Sequence, residues 1–521
     1  MATDCNPEKD PLGVLKTRSS MIAGFVLAAT VFAAPLADAS VTISTAATRN
    51  MNCSGGVCSP TGKTAFLNVS TLETMLASGN ATVTTGSLAK NIIVDAGVTW
   101  ATSNLLTLDA YQSVTVVYPV QVTGTGSLAL VTNDGGKRGT LSFVGAGGNI
   151  VFSSTSSSLG INGQAYVLVD TVAALASGIA GNPAGYYALA NSYDATGDGT
   201  YAHPPIATSF TGIFEGLGNI ISNLSVVDAT ASDTNVGFFA SVDTGALVEN
   251  LGLAKLNCKD QEPASIVGAL AGSSLGTIRG VSVSGTVRGK TNTSIGGLVG
   301  INDGLIVNSS AAGSVNAGNK SVIWIGGLAG ENEGSIIGSN ATGEVGATGP
   351  LAIAGSLVGF NGGTIVTSFA AGADSGGDQS LVGGLVGANG GSIENSYATG
   401  AASGGATANI GGLIGFDVGT VATSYSAGAA TGGTGSLIGG LIGNDQAVAN
   451  SIAKTYWDTT SSGISNLGQG SGNISNDPGI TGLTTTELQS GLPAGFTGKI
   501  WGLSSGINGG LPYLLLNQPS L

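Results

Sequence analysis

The side chains able to do chemistry are few, and the first group is a cysteine pair. Cys53 and Cys58 enclose the loop CSGGVC, which could close a small disulfide in an oxidising compartment. A metal site at this pair would need two further ligands nearby, and none is evident. Cys258 would then be left without a partner. We therefore predict a Cys53–Cys58 disulfide.

A second candidate is the segment DATGDG. Asp194 and Asp198 in it match the first half of a calcium-binding EF-hand loop, but the twelfth position is Pro205, where such a loop needs a bidentate Glu. We expect a turn here and keep a weak surface calcium site as the alternative. The single histidine, His203, follows in YAHPPIATSF and is expected in an exposed loop. One histidine excludes most His-based catalytic triads and the H-E-x-x-H metalloproteases.

Carboxylates are the groups with which a β-helix enzyme would cleave a polysaccharide, because glycoside hydrolysis needs two of them flanking one bond. Glu331 and Glu333 lie two residues apart, and Asp417 and Asp445 could stack in one column. Neither pair is accompanied by Arg, Lys or His. We predict no catalytic residue, cofactor or metal. Carboxylates meeting a basic residue in a groove would favour an enzyme instead.

Composition narrows the class of protein. Gly occupies 88 of 521 positions, 42% of residues are hydrophobic and 9% are charged. Low charge combined with many apolar residues argues against disorder. The net charge is −14 with 16 Lys and Arg. A nucleic-acid-binding protein needs a basic surface, so that class is excluded.

A repeat organises the central part of the chain. The hydrophobic residue of G-G-L-x-G recurs every 28 to 31 residues at Phe239, Leu270, Leu298, Leu328, Leu357, Leu385, Leu413 and Leu441. Eight residues after it comes an aliphatic column that ends at Ile393, Val421 and Val448. Eight copies at a near-fixed period are typical of a solenoid.

Within each copy, short alternating segments are separated by glycines, which predicts strands. Three short strands in 28 residues cannot bury their inner face alone, so the copies must stack. We predict an all-β fold, a right-handed parallel β-helix or β-solenoid with about eight coils of 28–31 residues and almost no helix. A propeller would need longer repeats.

The column four residues after the anchor is polar and reads Asp243, Ser274, Asn302, Asn332, Asn361, Asn389, Asp417 and Asp445. Stacked Asn side chains can hydrogen-bond as a ladder. A calcium ladder is the alternative, but only three of the eight residues are acidic. We therefore predict a structural ladder.

The repeats GGLVGINDGLIVNSSAAG and GGLVGANGGSIENSYATG resemble the GLUG motif family of bacterial secreted and surface proteins. Residues 210–226 resemble the lead-in of that family, and residues 456–521 resemble its closing segment. Residues 41–160, rich in Thr, Ser, Val and Gly, resemble the filamentous-haemagglutinin family of exported adhesins. The resemblance implies a cell-surface or secreted adhesin-like β-helix, with an outer-membrane export partner as a possible component.

The first 39 residues are typical of a secretory signal. Lys16 and Arg18 precede the apolar run 21–34, and an A-x-A site predicts cleavage after Ala39. Met21 is an alternative start. We predict five regions: a signal peptide (1–39), a haemagglutinin-like β-rich region (40–160), a β lead-in segment (161–234), the GLUG-repeat solenoid (235–455) and a closing segment (456–521).

These features predict a non-enzymatic exported protein, secreted or at the bacterial cell surface, that contacts cell-surface glycans or proteins or its own copies. The alternatives are a polysaccharide-active β-helix lyase or hydrolase, and a structural component of a biofilm matrix. No nucleic-acid partner is expected.

Overall fold

The computed structural model describes residues 39–135, 139–145, 147–229, 234–262, 265–290, 294–318 and 324–519. The predicted signal peptide therefore lies outside the described residues, apart from Ala39. The chain forms a nearly all-β parallel solenoid of about 15 turns, so the fold class is confirmed. The prediction of about eight coils fits the repeat region alone, and the whole rod is longer. At about 4.8 Å per coil it extends roughly 70 Å.

Four lateral sheets run along the eight repeat coils, and nearly all neighbouring strands in them are parallel. Sheet 1 contains Asn235–Val236, Ile266–Gly268, Ser294–Gly296, Trp324–Gly326, Ile353–Gly355, Leu381–Gly383, Asn409–Gly411 and Leu437–Gly439. Sheet 2 contains Phe239–Val242, Ala271–Ser274, Val299–Asn302, Ala329–Asn332, Val358–Asn361, Val386–Asn389, Ile414–Asp417 and Ile442–Asp445. Sheet 3 in this region contains Leu247–Glu249, Thr277–Arg279, Leu305–Val307, Ser335–Ile337, Thr364–Val366, Ser392–Glu394, Thr420–Ala422 and Ile452–Ala453.

Sheet 4 closes each coil, mostly with two short strands. Its members here are Gly252–Asp260, Ser282–Gly289, Ser310–Ala311, Ser314–Ala317, Asn340–Ala341, Val345–Ala347, Phe369–Ala370, Asp374–Gly376, Tyr397–Ala398, Ala402–Gly404, Tyr425–Ser426, Ala430–Gly432, Thr455–Asp458 and Ile480–Leu483. The predicted boundary at 455/456 falls inside one of these strands.

The core is a column of aliphatic side chains that each coil renews. In the third repeat coil the inward residues are at most 1% exposed; they are Ile295, Leu298, Val299, Ile306, Ala311 and Val315. Full burial of one such aliphatic side chain contributes about 1.5–3 kcal/mol. Because the coils share one core, each is stabilised by the coils on either side.

The glycines of G-G-L-x-G are required by a tight corner between sheets 1 and 2. A Cβ on Gly296 would stand 1.8 Å from the carbonyl oxygen of Val299 and 2.8 Å from the amide nitrogen of Gly330 in the next coil. Any side chain there would force the backbone apart. The motif therefore records how closely the chain approaches itself.

Two ladders of polar side chains satisfy the corners. Asn302, Asn332, Asn361 and Asn389 are fully buried, and each donates its Nδ2 to the next side-chain oxygen of the column over 2.7–2.8 Å. The second ladder consists of serines, in which a backbone N–H donates to a hydroxyl one coil on, at Ser309, Ser339, Ser368, Ser396 and Ser424. The predicted asparagine ladder is present, whereas the serine ladder was not predicted.

The predicted columns are wrong at both ends of the repeat. Phe239 lies opposite Ala271, one position past the anchor, and Val248 rather than Leu247 pairs with Ile278. At the other end Val448 is 76% exposed in a turn, and Ile452 takes its place opposite Val421. The spacing from Val421 to Ile452 is longer than one regular period, so the fixed period placed the last column residue too early.

The N-terminal part continues the solenoid with its own core. Its strands are Ser40–Ser44, Met51–Ser54, Val57–Pro60, Ala65–Asn68, Ala81–Thr84, Asn91–Val94, Val98–Trp100, Leu105–Asp109, Val114–Val116, Val120–Val122, Ser127–Val131, Leu141–Phe143, Ile150–Phe152 and Ser158–Ile161. Gln164–Val169 pairs with the last of these in antiparallel fashion and opens the next segment. That segment contains Tyr186–Leu189, Tyr193–Asp194, Thr200–Tyr201, Ile213–Glu215, Ile220–Ser222 and Ser225–Asp228.

Three short helices correct the expectation of almost no helix. They are α1 (Val69–Ser78), α2 (Val172–Gly181) and α3 (Thr485–Ser490). The first buries Val69, Leu72 and Leu76, a helical spacing that is readable in the sequence. None of the three lies in the repeat coils, and two short strands, Trp501–Gly502 and Tyr513–Leu514, follow α3.

Candidate functional site

The cysteine pair occupies a β-hairpin. Strands Met51–Ser54 and Val57–Pro60 pair in antiparallel fashion and set Cys53 opposite Cys58, with 4.0 Å between their Cα atoms and a disulfide joining them. Cys258 is buried with a free thiol, and burial raises its pKa to about 12. A thiol that stays protonated and buried is a poor nucleophile.

The Asp194 segment folds as a short 3₁₀ turn. Oδ1 of Asp194 accepts bonds from the backbone N–H of Thr196 at 3.0 Å and from Nδ2 of Asn223 at 2.8 Å. Asp198 accepts from the hydroxyls of Tyr193 and Tyr201. These bonds make the aspartates structural acceptors of the turn. His203 is exposed, as expected.

Three carboxyl groups end the asparagine ladder. Asp417 and Asp445 stack in register, as the sequence suggested, and Asp477 joins them from a later segment. Burial, with repulsion from Asp445 and Asp477, raises the pKa of Asp417 to about 7. Burial and Asp445 raise the pKa of Asp477 to about 6. Within the described residues, no group of three or more His, Cys, Asp or Glu side chains is arranged to hold a metal ion.

Two other carboxylates meet an arginine, and the sequence analysis missed them. Glu215, Glu249 and Arg279 stand side by side on adjacent strands of sheet 3, and Arg279 donates to Glu249 over 3.1 Å. Burial and the charge of Glu249 hold the pKa of Glu215 well above its usual range. Glu215 is 1% exposed, so a substrate arriving from solvent cannot reach it. Their spacing is irregular, and only the coil register brings them together.

An aromatic stack on sheet 4 is the second feature that the sequence analysis missed. Phe369, Tyr397 and Tyr425 stack with ring centroids 5.0 and 5.1 Å apart, and Tyr456 follows in the same strand column. The period of 28 residues between Phe369, Tyr397 and Tyr425 is visible in the sequence. It could have identified the column, because side chains at the same position of successive coils stack.

The C-terminal segment 484–519 covers this stack. Phe496 and Trp501 pack against Tyr425, and the hydroxyl of Tyr425 donates to the carbonyl of Pro512 over 2.6 Å. Asn517 donates further back along the rod, to the carbonyls of Ser339 and Thr367. The stack is therefore sealed from solvent by the chain's own C-terminal segment.

A basic cleft opens on another part of sheet 4. It has a volume of about 360 Å³ and is lined by Lys259, Asp260, Gln261, Arg288, Gly289, Lys290, Asn316, Ala317 and Gly318. Lys259 lies directly opposite Arg288 on the neighbouring strand, and Arg288 lies opposite Asn316. Asp260 is the acidic member and is 3% exposed, with its pKa raised to about 6 by burial. The accessible charge of the cleft is therefore positive.

The search for membrane-crossing helices gave a negative result for the residues that the structure describes, since none of their helices is long and apolar enough to cross a membrane.

Comparison with known proteins supports the repeat. The family described as the GLUG motif matches residues 378–403. Halomucin of Haloquadratum walsbyi is 41% identical over 106 residues, which are 20% of this chain and 1% of Halomucin. This chain thus spans a very small part of that relative. A solved IgA1 protease structure matches with a TM-score of 0.35 at 20% identity, over 55% of this chain and 21% of the protease chain.

The GLUG resemblance is therefore supported, and the chain is a repeat β-solenoid with a GLUG motif. The resemblance of residues 41–160 to filamentous haemagglutinins stays a prediction, as do the boundaries of the five regions.

Proposed function

We propose that this chain is a non-enzymatic surface-type protein, exported after cleavage at Ala39, whose solenoid makes adhesin-like contacts with cell-surface glycans or proteins. The observation that carries the proposal is the exposure of the side chains along the rod. The carboxylate that meets a second carboxylate and an arginine, Glu215, is buried at 1% exposure, whereas the exposed face of sheet 4 carries a cleft lined by Lys259, Arg288 and Lys290. The GLUG match and the similarity to Halomucin support a repeat protein of this type.

Export through an outer-membrane partner remains part of the proposal. The test of location is a fractionation of the native producing cells, followed by N-terminal sequencing of the exported chain. We expect Ser40 at its N-terminus. Recovery of the chain only inside the cell, with its first residues intact, would contradict the proposal.

The test of function is binding of residues 40–521 to whole cells and to a glycan array. We expect saturable binding to cells that is lost when the protein is unfolded and refolded coils are absent. Binding that does not saturate, or that unfolded protein reproduces, would contradict an adhesin-like role.

A polysaccharide-active enzyme is the second candidate, because Glu215, Glu249 and Arg279 do converge. Incubation of the chain with a panel of acidic and neutral polysaccharides tests it. New reducing ends or unsaturated products that disappear in Glu249→Gln would favour the enzyme. We expect no cleavage, since Glu215 lies out of reach of solvent.

A matrix component that binds its own copies is the third candidate. Sedimentation velocity over a wide range of concentrations separates it from the adhesin-like protein. Association that grows with concentration into long assemblies would favour the matrix, whereas we expect a monomeric rod.

A further inference from the structure

The basic cleft concentrates a scarce charge. Only 16 of 521 residues are Lys or Arg, and the net charge is −14, yet Lys259, Arg288 and Lys290 line one opening. Like charges on neighbouring strands destabilise a sheet. An arrangement that costs stability in this way needs a compensating role, and a bound anion would supply one.

The strand register aims these cations at one place. Lys259 and Arg288 are direct partners on adjacent coils, so their backbones are about 4.8 Å apart. Lys290 is two residues beyond Arg288 and lies on the same side of the chain. Asn316, the partner of Arg288 on the following coil, adds an uncharged hydrogen-bonding group to the same row.

The cations differ in how far they are engaged within the protein. Nζ of Lys290 donates to the carbonyl of Gln261 over 2.6 Å, which fixes it at the edge of the cleft. Among the residues that the structure describes, Lys259 and Arg288 form no ion pair. Arg288 is exposed and Lys259 half-buried. Both can therefore take an anionic partner from solution without breaking an internal contact.

We propose that this cleft binds the anionic groups of an acidic polysaccharide, with Arg288 and Lys259 as its principal contacts. The inference rests on the proposed function, since it names the ligand class of the surface contact. A guanidinium binds carboxylate and sulfate groups through paired hydrogen bonds. Coils spaced by about 4.8 Å place successive cations about one sugar ring apart, so that an extended acidic chain can lie along the row.

Nucleic acid fits the cleft less well. Its affinity for proteins depends on many phosphate contacts along a basic surface. Here the basic patch is short and lies on a strongly acidic protein, which repels a long polyanion of high charge density. A sparsely charged polysaccharide is the better partner.

The experiment measures binding of residues 40–521 to polygalacturonate oligomers, to heparin oligomers and to dextran by biolayer interferometry. Polygalacturonate offers carboxylates, heparin adds sulfates, and dextran is uncharged. We expect binding to at least one of the two polyanions, none to dextran, and weakening as NaCl rises from about 50 to about 500 mM, because exposed charges are screened. The stronger polyanion identifies the anionic group.

The variants are Arg288→Gln and Lys259→Gln, with Lys63→Gln as the control that removes the same charge from an exposed site outside the cleft. Each cleft variant should bind about tenfold more weakly, the loss expected for one charge-assisted contact, while the control binds like the wild type. Urea unfolding midpoints verify that all three variants remain folded.

Three results would overturn the cleft as the site: equal losses in Lys63→Gln, no binding to either polyanion, or tighter binding to single-stranded DNA than to both. The proposed function fails separately. Cell binding that persists in Arg288→Gln would overturn the cleft alone, and absence of cell binding in the wild type that still binds polyanions would overturn only the adhesin-like role.

Discussion

Nδ2 of Asn389 donates a 2.7 Å hydrogen bond to Oδ1 of Asp417 in the next coil, and at that point the asparagine ladder ends in acid. Oδ2 of Asp417 is buried and has no hydrogen-bond partner. An asparagine would have placed a donor there, facing Asp445. The ladder thus stops one coil before the end of the repeat because a carboxylate cannot donate onward.

This relationship predicts a dependence of stability on pH. Folded Asp417 keeps its proton up to about pH 7, whereas the unfolded carboxyl loses it near 3.8. Between these values the folded state binds more protons, so its stability falls as the pH rises and stays low above pH 7. Asp417→Asn should flatten this slope and raise the free energy of unfolding at pH 8 by about 1–4 kcal/mol.

Urea unfolding between pH 5.5 and 8.5 measures the slope. Asp95→Asn, an exposed aspartate changed in the same way, is the control and should leave the slope unchanged. If Asp417→Asn is less stable than the wild type at pH 8, the carboxyl is ionised and stabilising in the folded state, and our account of the ladder end is wrong.

The core column predicts a graded response to buried charge. Ile365 is fully buried in a middle coil, Ile452 is 7% exposed in the last coil, and Val448 is 76% exposed. Ile365→Asp should cost several kcal/mol, Ile452→Asp less, and Val448→Asp at most about 0.5 kcal/mol. Urea midpoints of the three variants give the order. An equal loss in Ile365→Asp and Val448→Asp would refute the register.

The aromatic stack offers two tyrosines with opposite roles. The hydroxyl of Tyr425 donates to Pro512 and accepts from Asn508, whereas the buried hydroxyl of Tyr397 has no hydrogen-bond partner. Tyr425→Phe should destabilise the protein by about 1–3 kcal/mol and loosen the C-terminal segment. Tyr397→Phe, the matched control, should be neutral or stabilising.

Limited trypsin digestion reads the C-terminal segment directly, because Lys499 lies in it and is exposed. Cleavage after Lys499 should be faster in Tyr425→Phe than in the wild type or Tyr397→Phe. Identical digestion of all three proteins would show that the Tyr425 bonds do not hold the segment.

The cysteines predict a distinct alkylation pattern for the oxidised protein. Peptide mapping without reductant should recover Cys53 and Cys58 as one disulfide-linked peptide, and Cys258 should react with iodoacetamide only after unfolding, because it is buried. Reduction should lower the free energy of unfolding by about 2 kcal/mol, the value for so short a loop. A peptide linking Cys258 to either residue would contradict the pairing.

The sequence alone determined the fold class, the in-register coils and the asparagine ladder, because a side chain at the same position of every coil must meet its own copies. It also placed Asp417 above Asn389. The fixed period failed at Val448, where extra residues form a turn and move the core position to Ile452, and it overlooked the helical spacing of Leu72 and Leu76.

Only the tertiary structure decided which side chains meet outside that period. Glu215 reaches Glu249 and Arg279 across coils of unequal length, and Asp477 and segment 484–519 return to the rod from outside the repeat. The cleft depends on register too, since Lys259 and Arg288 look unrelated in the sequence until strand pairing sets them side by side. A sequence period predicts contacts between equivalent positions, whereas loops, insertions and returning segments require the coordinates.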